Sequence, residues 1–261
     1  MSLNQLTDPV MNKNELEEVI VLVKALPHPS TKHGETVCCA GITTLSEWRR
    51  IFPVRFRQLS QGKFQRWDRL RYRWRQPTND ARSESRHVFE DTFQVGQQLS
   101  KPERSRLLEP LVRSSVQEAI LRRESFALIR PTGFKFIWNE KHKRQIELER
   151  STYAHIGGQK SFLDAPLTKL EPYPLEFRVA FSDASGIHNH KCEDWETTAA
   201  FWNLSQHKGF DYALGHLDRM YNHEYQENGM VLALGNMVSR PQTWLSLGVI
   251  RLDESKQREL F

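Results

Sequence analysis

From Arg69 to Arg75 the chain reads Arg-Leu-Arg-Tyr-Arg-Trp-Arg, a cation at every odd position and an apolar residue at every even one. Successive side chains of an extended strand point to opposite faces. Arg69, Arg71, Arg73 and Arg75 therefore share one face, and Leu70, Tyr72 and Trp74 the other. A helix would mix the two sets around its axis. The fold must supply a sheet with one side for the apolar residues and another for four guanidinium groups.

Other segments fit a sheet-rich frame. Val19-Ile-Val-Leu-Val23 is a continuous β-branched run, as expected of a buried strand, and His28-Pro29-Ser30 reads as the loop that leaves it. Thr36 to Ile42 is the expected pairing strand. Gly133 to Trp138 and Glu176 to Phe181 alternate polar and apolar residues like half-buried strands, with irregular surface expected over 139–175. Met230 to Leu234 and Thr243 to Ile250 read as strands separated by a loop holding Gly235, Asn236, Arg240 and Pro241. At Ser100 the period changes. An N-cap followed by Pro102 starts a helix, and Leu107, Leu108, Leu111, Val112, Val116, Ala119 and Ile120 recur at helical spacing, with Pro110 bending the first turns. Asp194 to Gln206, capped by Asp194, and Asp211 to Gln226 also read as helices. Strands at both ends with helices between them indicate an α+β, or mixed α/β, fold. The 261 residues suffice for one domain with a sizeable core. A subdivision, if the domain has one, separates a basic strand-rich part, 1–98, from a helix and strand part, 99–261.

Charge is unevenly placed. The chain carries a net +5, but residues 49–86 hold twelve basic residues against Asp68, Asp80 and Glu84, a local +9 that leaves the remainder at −4. Cations and aromatics are interleaved through Trp48 to Arg57 and Phe64 to Arg75. This points to an anionic partner. Arginine forks suit phosphate, and exposed aromatics stack on unpaired bases. The nucleic-acid-binding candidates are Arg49, Arg50, Arg55, Arg57, Arg66, Trp67, Arg69, Arg71, Tyr72, Arg73, Arg75, Arg82 and Arg86. The plain alternative is an amphipathic strand with a solvated charged side and an ordinary core side. In Asp80-Ala-Arg-Ser-Glu-Ser-Arg86, Arg82 and Arg86 can clamp a phosphate helped by Ser83 and Ser85, or the segment is a turn with internal salt bridges.

His188-Asn-His190-Lys-Cys192-Glu-Asp194 sets two imidazoles, a thiol and a carboxylate at alternate positions. Extended, they share a face, and zinc is the metal that His188, His190 and Cys192 would suit, although alternation is not the spacing of common zinc motifs. The competing readings are a polar loop leading to the helix that Asp194 caps, and an acid or base at His188 or His190. The sequence requires no cofactor. It contains no GxxxxGK[ST] loop, no GxGxxG after a strand, no GxSxG elbow and no HExxH. Asp164, Glu176 and Asp183 leave a carboxylate nuclease formally open.

Cys38, Cys39 and Cys192 cannot build a disulfide framework, two being adjacent, which suits a reducing compartment. The first residues have acids where a secretion signal needs bases, and no run is long enough to span a bilayer. These features lead to an expectation of a cytoplasmic protein.

The succession of Cys39-Ala40-Gly41, Trp48 to Arg57, Asp80-x-Arg-x-Glu-Ser85, the Cys-x-Asp-Trp-Glu run from Cys192 to Glu196, and Gly235-Asn236 before Pro241 resembles an uncharacterised bacterial family. Its members occur as accessory genes near mobile elements or anti-phage loci. The resemblance spans nearly the whole chain and implies no established activity. The expected function is a nucleic-acid-binding accessory or sensor protein in such a system, gripping a phosphate backbone or single strand. Two other classes stay open: an enzyme on nucleic acid or nucleotides using Asp80, Glu84, His188, His190 and Asp194, and a scaffold that places the same arginines on an acidic protein within a complex.

Overall fold

The run Val19 to Val23 forms the middle of strand β1, Leu16–Lys24, in a computed structural model that describes residues 16–26, 28–30, 34–55, 63–157, 172 and 174–253. The strand is buried on both faces, which is why its sequence does not alternate. Val19 and Val21 point into a barrel with Val37, Ile51, Leu70, Tyr72 and Val88. Ile20, Leu22 and Val23 point the other way, against Phe126, Leu128, Val231 and Ile250 of the C-terminal sheets. Each such buried aliphatic contributes on the order of 1.5–3 kcal/mol.

Five strands close the barrel: β1, β3 (Gly34–Ile42), β4 (Trp48–Arg55), β5 (Asp68–Arg75) and β6 (Ser85–Gln98). The first part of β1 pairs with β5 and its second part with β3. β3 pairs with β4, β4 runs parallel to β6, and β6 returns to β5. Counting these five strands along the chain, the spatial order is first, second, third, fifth, fourth and back to first. That is the connectivity of an OB-type barrel. Gly41 permits the closure, because a Cβ there would stand 2.5 Å from the Ile20 carbonyl oxygen. His28–Ser30, expected as loop, is a short strand, β2, that adds to β3.

After the barrel come α1 (Lys101–Leu108), a 3-10 turn (Glu109–Leu111), β7 (Val112–Arg113) and α2 (Val116–Leu121). The single helix expected here is thus broken. Pro110 lacks an N–H for the helix ladder, so the chain extends for two residues and restarts where Ser115 Oγ accepts from the Glu118 N–H. The apolar residues kept their spacing because both pieces pack inward: Leu108 and Leu111 on one core, Val116 and Ala119 on another.

Two sheets complete the body. One orders β13 (Arg240–Arg251), β12 (Met230–Met237), β8 (Phe126–Ile129) and β7, and the other orders β11 (Gly186–Lys191), β10 (Leu175–Asp183) and β9 (Thr132–Glu140). Helices α4 (Trp195–Lys208) and α5 (Phe210–Arg219) share a core with them that includes Phe136, Phe177, Phe201, Leu217 and Tyr221. Asp194 caps α4 as expected, accepting from the Glu196 N–H at 3.1 Å. The second expected helix ends at Arg219 and continues as a five-residue π turn, Met220–Glu224, before a last helical turn.

Two further expectations fail. Part of the stretch read as irregular is helix α3, Lys143–Gly157; residues 158–171 and 173 lie outside the described ones. Gly235, Asn236, Arg240 and Pro241 are strand, and only Val238 and Ser239 turn. Gly235 is there for space, since a Cβ would stand 2.6 Å from Leu247 and 2.9 Å from Phe126. The whole is a single mixed α+β body in which barrel and C-terminal sheets share one core.

Candidate functional site

The strand from Asp68 to Arg75 forms with the two faces its pattern requires, but most of the expected arginines meet carboxylates from outside their own segment. Arg49 bonds Glu17 and Glu47, Arg55 bonds Glu90, and Arg69 and Arg71 share Glu18. Burial would raise the pKa of Glu18, and the bonds from Arg71 and Arg69 outweigh it and hold the carboxyl below its usual value. Arg66 grips Asp194 with Nη2 at 2.9 and 3.0 Å. Arg86 bonds Glu17 and lies 3.8 Å from the Trp74 ring centre. Trp67 and Tyr72, expected as stacking surfaces, are 5% and 0% exposed and belong to the cores. Arg57 and Asp164 lie outside the described residues. Arg73 and Arg75 remain exposed on the outer face of β5.

Beside this face lies a cleft of about 490 Å³ between the β3–β4 rim, the loop joining β5 to β6, and the β12–β13 hairpin. Arg50, Arg75, Arg82 and Arg86 line it with Asp80 as the lining carboxylate, together with apolar groups such as Phe52, Pro77, Met237 and Leu247. Arg50 forms the floor and is 8% exposed. Its guanidinium lies 4.0 Å from the Phe126 ring centre. It donates to Ser125 Oγ at 3.1 Å and to the Asn236 carbonyl at 3.3 Å, and approaches Cys38 Sγ at 3.7 Å, while its buried Nε has no partner among the described residues. Arg82 is held differently, donating to both oxygens of Asp80 at 2.9 and 2.6 Å. Burial alone would raise the Asp80 pKa, but hydrogen bonds from Arg82 and Ser85 hold it at about 2. The Asp80 segment is therefore a turn with an internal salt bridge, and Ser85 is spent on Asp80 at 2.7 Å. Glu84 is hydrogen-bonded by Ser125 Oγ.

Four sequence features far apart in the chain meet here: Cys38 beside the Cys-Ala-Gly step, Arg50, the Asp80 to Arg86 turn, and Gly235-Asn236. Comparison with family models places the first three features in one matched segment and Gly235-Asn236 in another.

The chain belongs to the family described as Domain of unknown function (DUF8757).

That model matches residues 111–261, and a second, described as Domain of unknown function (DUF8758), matches residues 15–113. No curated protein matches the chain. The DUF8758 segment contains the barrel and α1, the DUF8757 segment contains the two further sheets, and each contributes walls to the cleft.

Within the DUF8757 segment the His188 and His190 rings lie 5.6 Å apart, both against Phe181, but their nitrogens and the Cys192 thiol are engaged separately. His188 Nε2 pairs with Asp183 at 2.9 Å and its ring stacks on Phe181. His190 Nδ1 donates to the Trp244 carbonyl at 2.9 Å, and burial lowers its pKa. Cys192 is buried near Thr197, its thiol pushed up to about 12 by burial. Each candidate ligand thus has its own partner, and among the described residues no group of three or more His, Cys, Asp or Glu gathers that could hold a metal. Glu176 pairs with Arg178. His188, His190 and Asp194 do not line the cleft that holds Asp80, so the residues proposed as one enzymatic set are not brought together. Cys38, Cys39 and Cys192 are free thiols, and among the described residues no helix is long and apolar enough to cross a membrane.

Sequence reasoning missed Ser125, Phe52 and His87, and it read Asn236 only as part of a loop. Asn236 had a readable signal, a lone amide within the apolar run from Met230 to Val238.

Proposed function

We propose that this protein binds nucleic acid, holding a phosphate-bearing segment in the cleft between barrel and C-terminal hairpin, with Arg50, Arg75, Arg82 and Arg86 as its cationic wall. The observation that carries this reading is Arg50. It is nine-tenths buried and its acceptors are neutral: a hydroxyl, a carbonyl and a thiol. A buried cation without a carboxylate on it is costly unless something anionic approaches, and the cleft gives a phosphate room to do so. Clefts of 300–1,000 Å³ suit ligands of small-molecule size, so one of about 490 Å³ suits one or two nucleotides rather than a duplex. The position supports the reading too. In OB-type barrels the face of the second and third strands, with the loop between the fourth and fifth, is where oligonucleotides lie; Cys38, Arg50, Phe52 and the Asp80 turn occupy those places. That is analogy of fold, and the arginine set supplies the chemistry. The resemblance to bacterial accessory genes supports an accessory or sensor role in a defence or mobile-element system, in the cytoplasm, which three free thiols suit.

The test is titration of a labelled oligonucleotide at several salt concentrations. Affinity should fall steeply with salt, as counterion release requires, and Arg50→Gln should weaken it at least tenfold. Binding that is absent or indifferent to salt overturns the proposal.

A further inference from the structure

The outer face of β5 and β6 carries a feature the cleft does not use. Register sets Arg73 opposite Phe89 and Arg75 opposite His87, and opposite residues share a face. Val88 and Tyr72 point into the barrel, so this set points out. Phe89 is 39% exposed, its ring 6.0 Å from the His87 ring in an edge arrangement. Arg75 Nη2 stands 3.3 Å from His87 Nε2. Arg73 has no ion pair among the described residues. Arg75 and His87 also line the cleft, so the rungs run directly into it.

The remainder of the barrel surface narrows the choice of ligand path. The outer faces of β1 and β3 are packed against β8, β12 and β13. The β12–β13 hairpin lines the cleft too, through Asn236, Met237 and Leu247, and Arg82 Nη1 of the loop joining β5 to β6 reaches Asn236 Oδ1 at 3.5 Å. Arg75 and His87 connect the cleft to Arg73 and Phe89, which gives a chain whose end occupies the cleft a path over the outer face of β5 and β6.

We propose that this two-rung face takes unpaired single-stranded nucleic acid, its bases stacked on His87 and Phe89 and its phosphates held by Arg75 and Arg73, with the strand's end in the cleft. The proposal rests on the nucleic-acid reading of the cleft and adds the substrate class. A ring lying on a sheet face cannot reach bases inside a stacked duplex, whereas a single strand offers every base face. An apolar protein partner suits this surface less, because arginines of one sign flank the ring. Asp91, exposed beyond the irregularity that follows Phe89, limits the track to two bases.

The experiment is fluorescence anisotropy with the full chain, using labelled oligothymidine of about ten nucleotides and a blunt duplex of the same length. The single strand should bind more tightly than the duplex. Phe89→Ala should weaken the single strand roughly five- to hundredfold, with unchanged duplex affinity, salt slope and thermal unfolding, and Phe89→Trp should restore binding. Arg73→Gln with Arg75→Gln should flatten the salt dependence. Equal affinity of the Phe89→Ala and unmodified proteins for the single strand overturns this assignment while leaving the cleft reading in place if Arg50→Gln still weakens binding at least tenfold, and a preference for duplex overturns both. Competition by poly-glutamate as strong as by oligothymidine assigns the face to an acidic protein and overturns it as well. If neither nucleic acid binds the unmodified protein, the underlying reading fails.

Discussion

Arg66 and Arg50 both leave the barrel to reach the C-terminal sheets, and they are held in opposite ways. Arg66 has a carboxylate: Nη2 takes both oxygens of Asp194, Nε donates to the Leu22 carbonyl and Nη1 to the Val249 carbonyl, each at 2.9 Å. Asp194 is 0% exposed and completes its own bonding with the N–H groups of Glu196 and Val249, each at 3.1 Å. Next to it Lys24, 4% exposed, pairs with Glu196. Arg50, equally enclosed, has neutral acceptors and, among the described residues, no partner for Nε. An arginine with all its donors and its charge satisfied is structural, because nothing remains for a ligand. One with its charge unmatched, at the floor of a cleft, is the cation a ligand can complete.

The largest effect that tests this contrast is on stability. Arg66→Met should strand Asp194 as an unpaired buried carboxylate and cost about 3–5 kcal/mol, read as a fall in the urea midpoint with unchanged slope. Adding Asp194→Asn should recover part of that loss, since the stranded charge is gone. If the single and double variants unfold alike, Asp194 was not held by Arg66, and the structural half of the contrast is broken.

Arg50→Met should behave in the reverse manner. It removes hydrogen bonds to the Asn236 carbonyl and Ser125 but strands no charge, so about 1 kcal/mol of stability is expected. Oligonucleotide affinity should drop tenfold or more, by anisotropy under the conditions used for Arg50→Gln. A stability loss as large as that of Arg66→Met would mean that Arg50 is structural too.

The local sequence revealed faces and not partners. The alternation of Arg69 to Arg75 specified a strand and its inward side because side-chain direction depends on neighbours two positions away. The double burial of β1 was readable from its unbroken β-branched run. What neutralises the arginines was not readable. Glu17 is 32 positions from Arg49, and Asp194 is 128 from Arg66. Those pairings exist because the barrel closes and the C-terminal sheets pack on it, so a charge count over residues 49–86 overstated the free cations. The segment's surplus of +9 was real, and among the described residues its exposed arginines without an ion pair are Arg73 and Arg75, with the cleft beside them. Gly235 misled for a similar reason. A glycine in a turn and a glycine pressed against Leu247 and Phe126 look the same until the sheet is assembled. Phe89 escaped notice because nothing in the alternation of β5 shows which residue of β6 faces it.

Arg82 is the intermediate case and gives the finest test. It lines the same cleft as Arg50 but carries a carboxylate, Asp80, as Arg66 does. Asp80 has a folded-state pKa of about 2, below its ordinary 3.8. A depressed carboxylate contributes stability above its unfolded pKa, and that contribution is lost as pH falls from about 4 towards 2. Asp80→Asn should therefore flatten the stability profile in that window, with at most about 2 kcal/mol lost at pH 7. The same change frees the Arg82 charge, making its surroundings more like those of Arg50. Affinity for oligonucleotide should rise a few-fold at neutral pH, and the salt dependence should steepen. Unchanged or weaker binding would show that Asp80 holds Arg82 in the orientation a phosphate needs, so that a carboxylate partner does not by itself mark an arginine as structural.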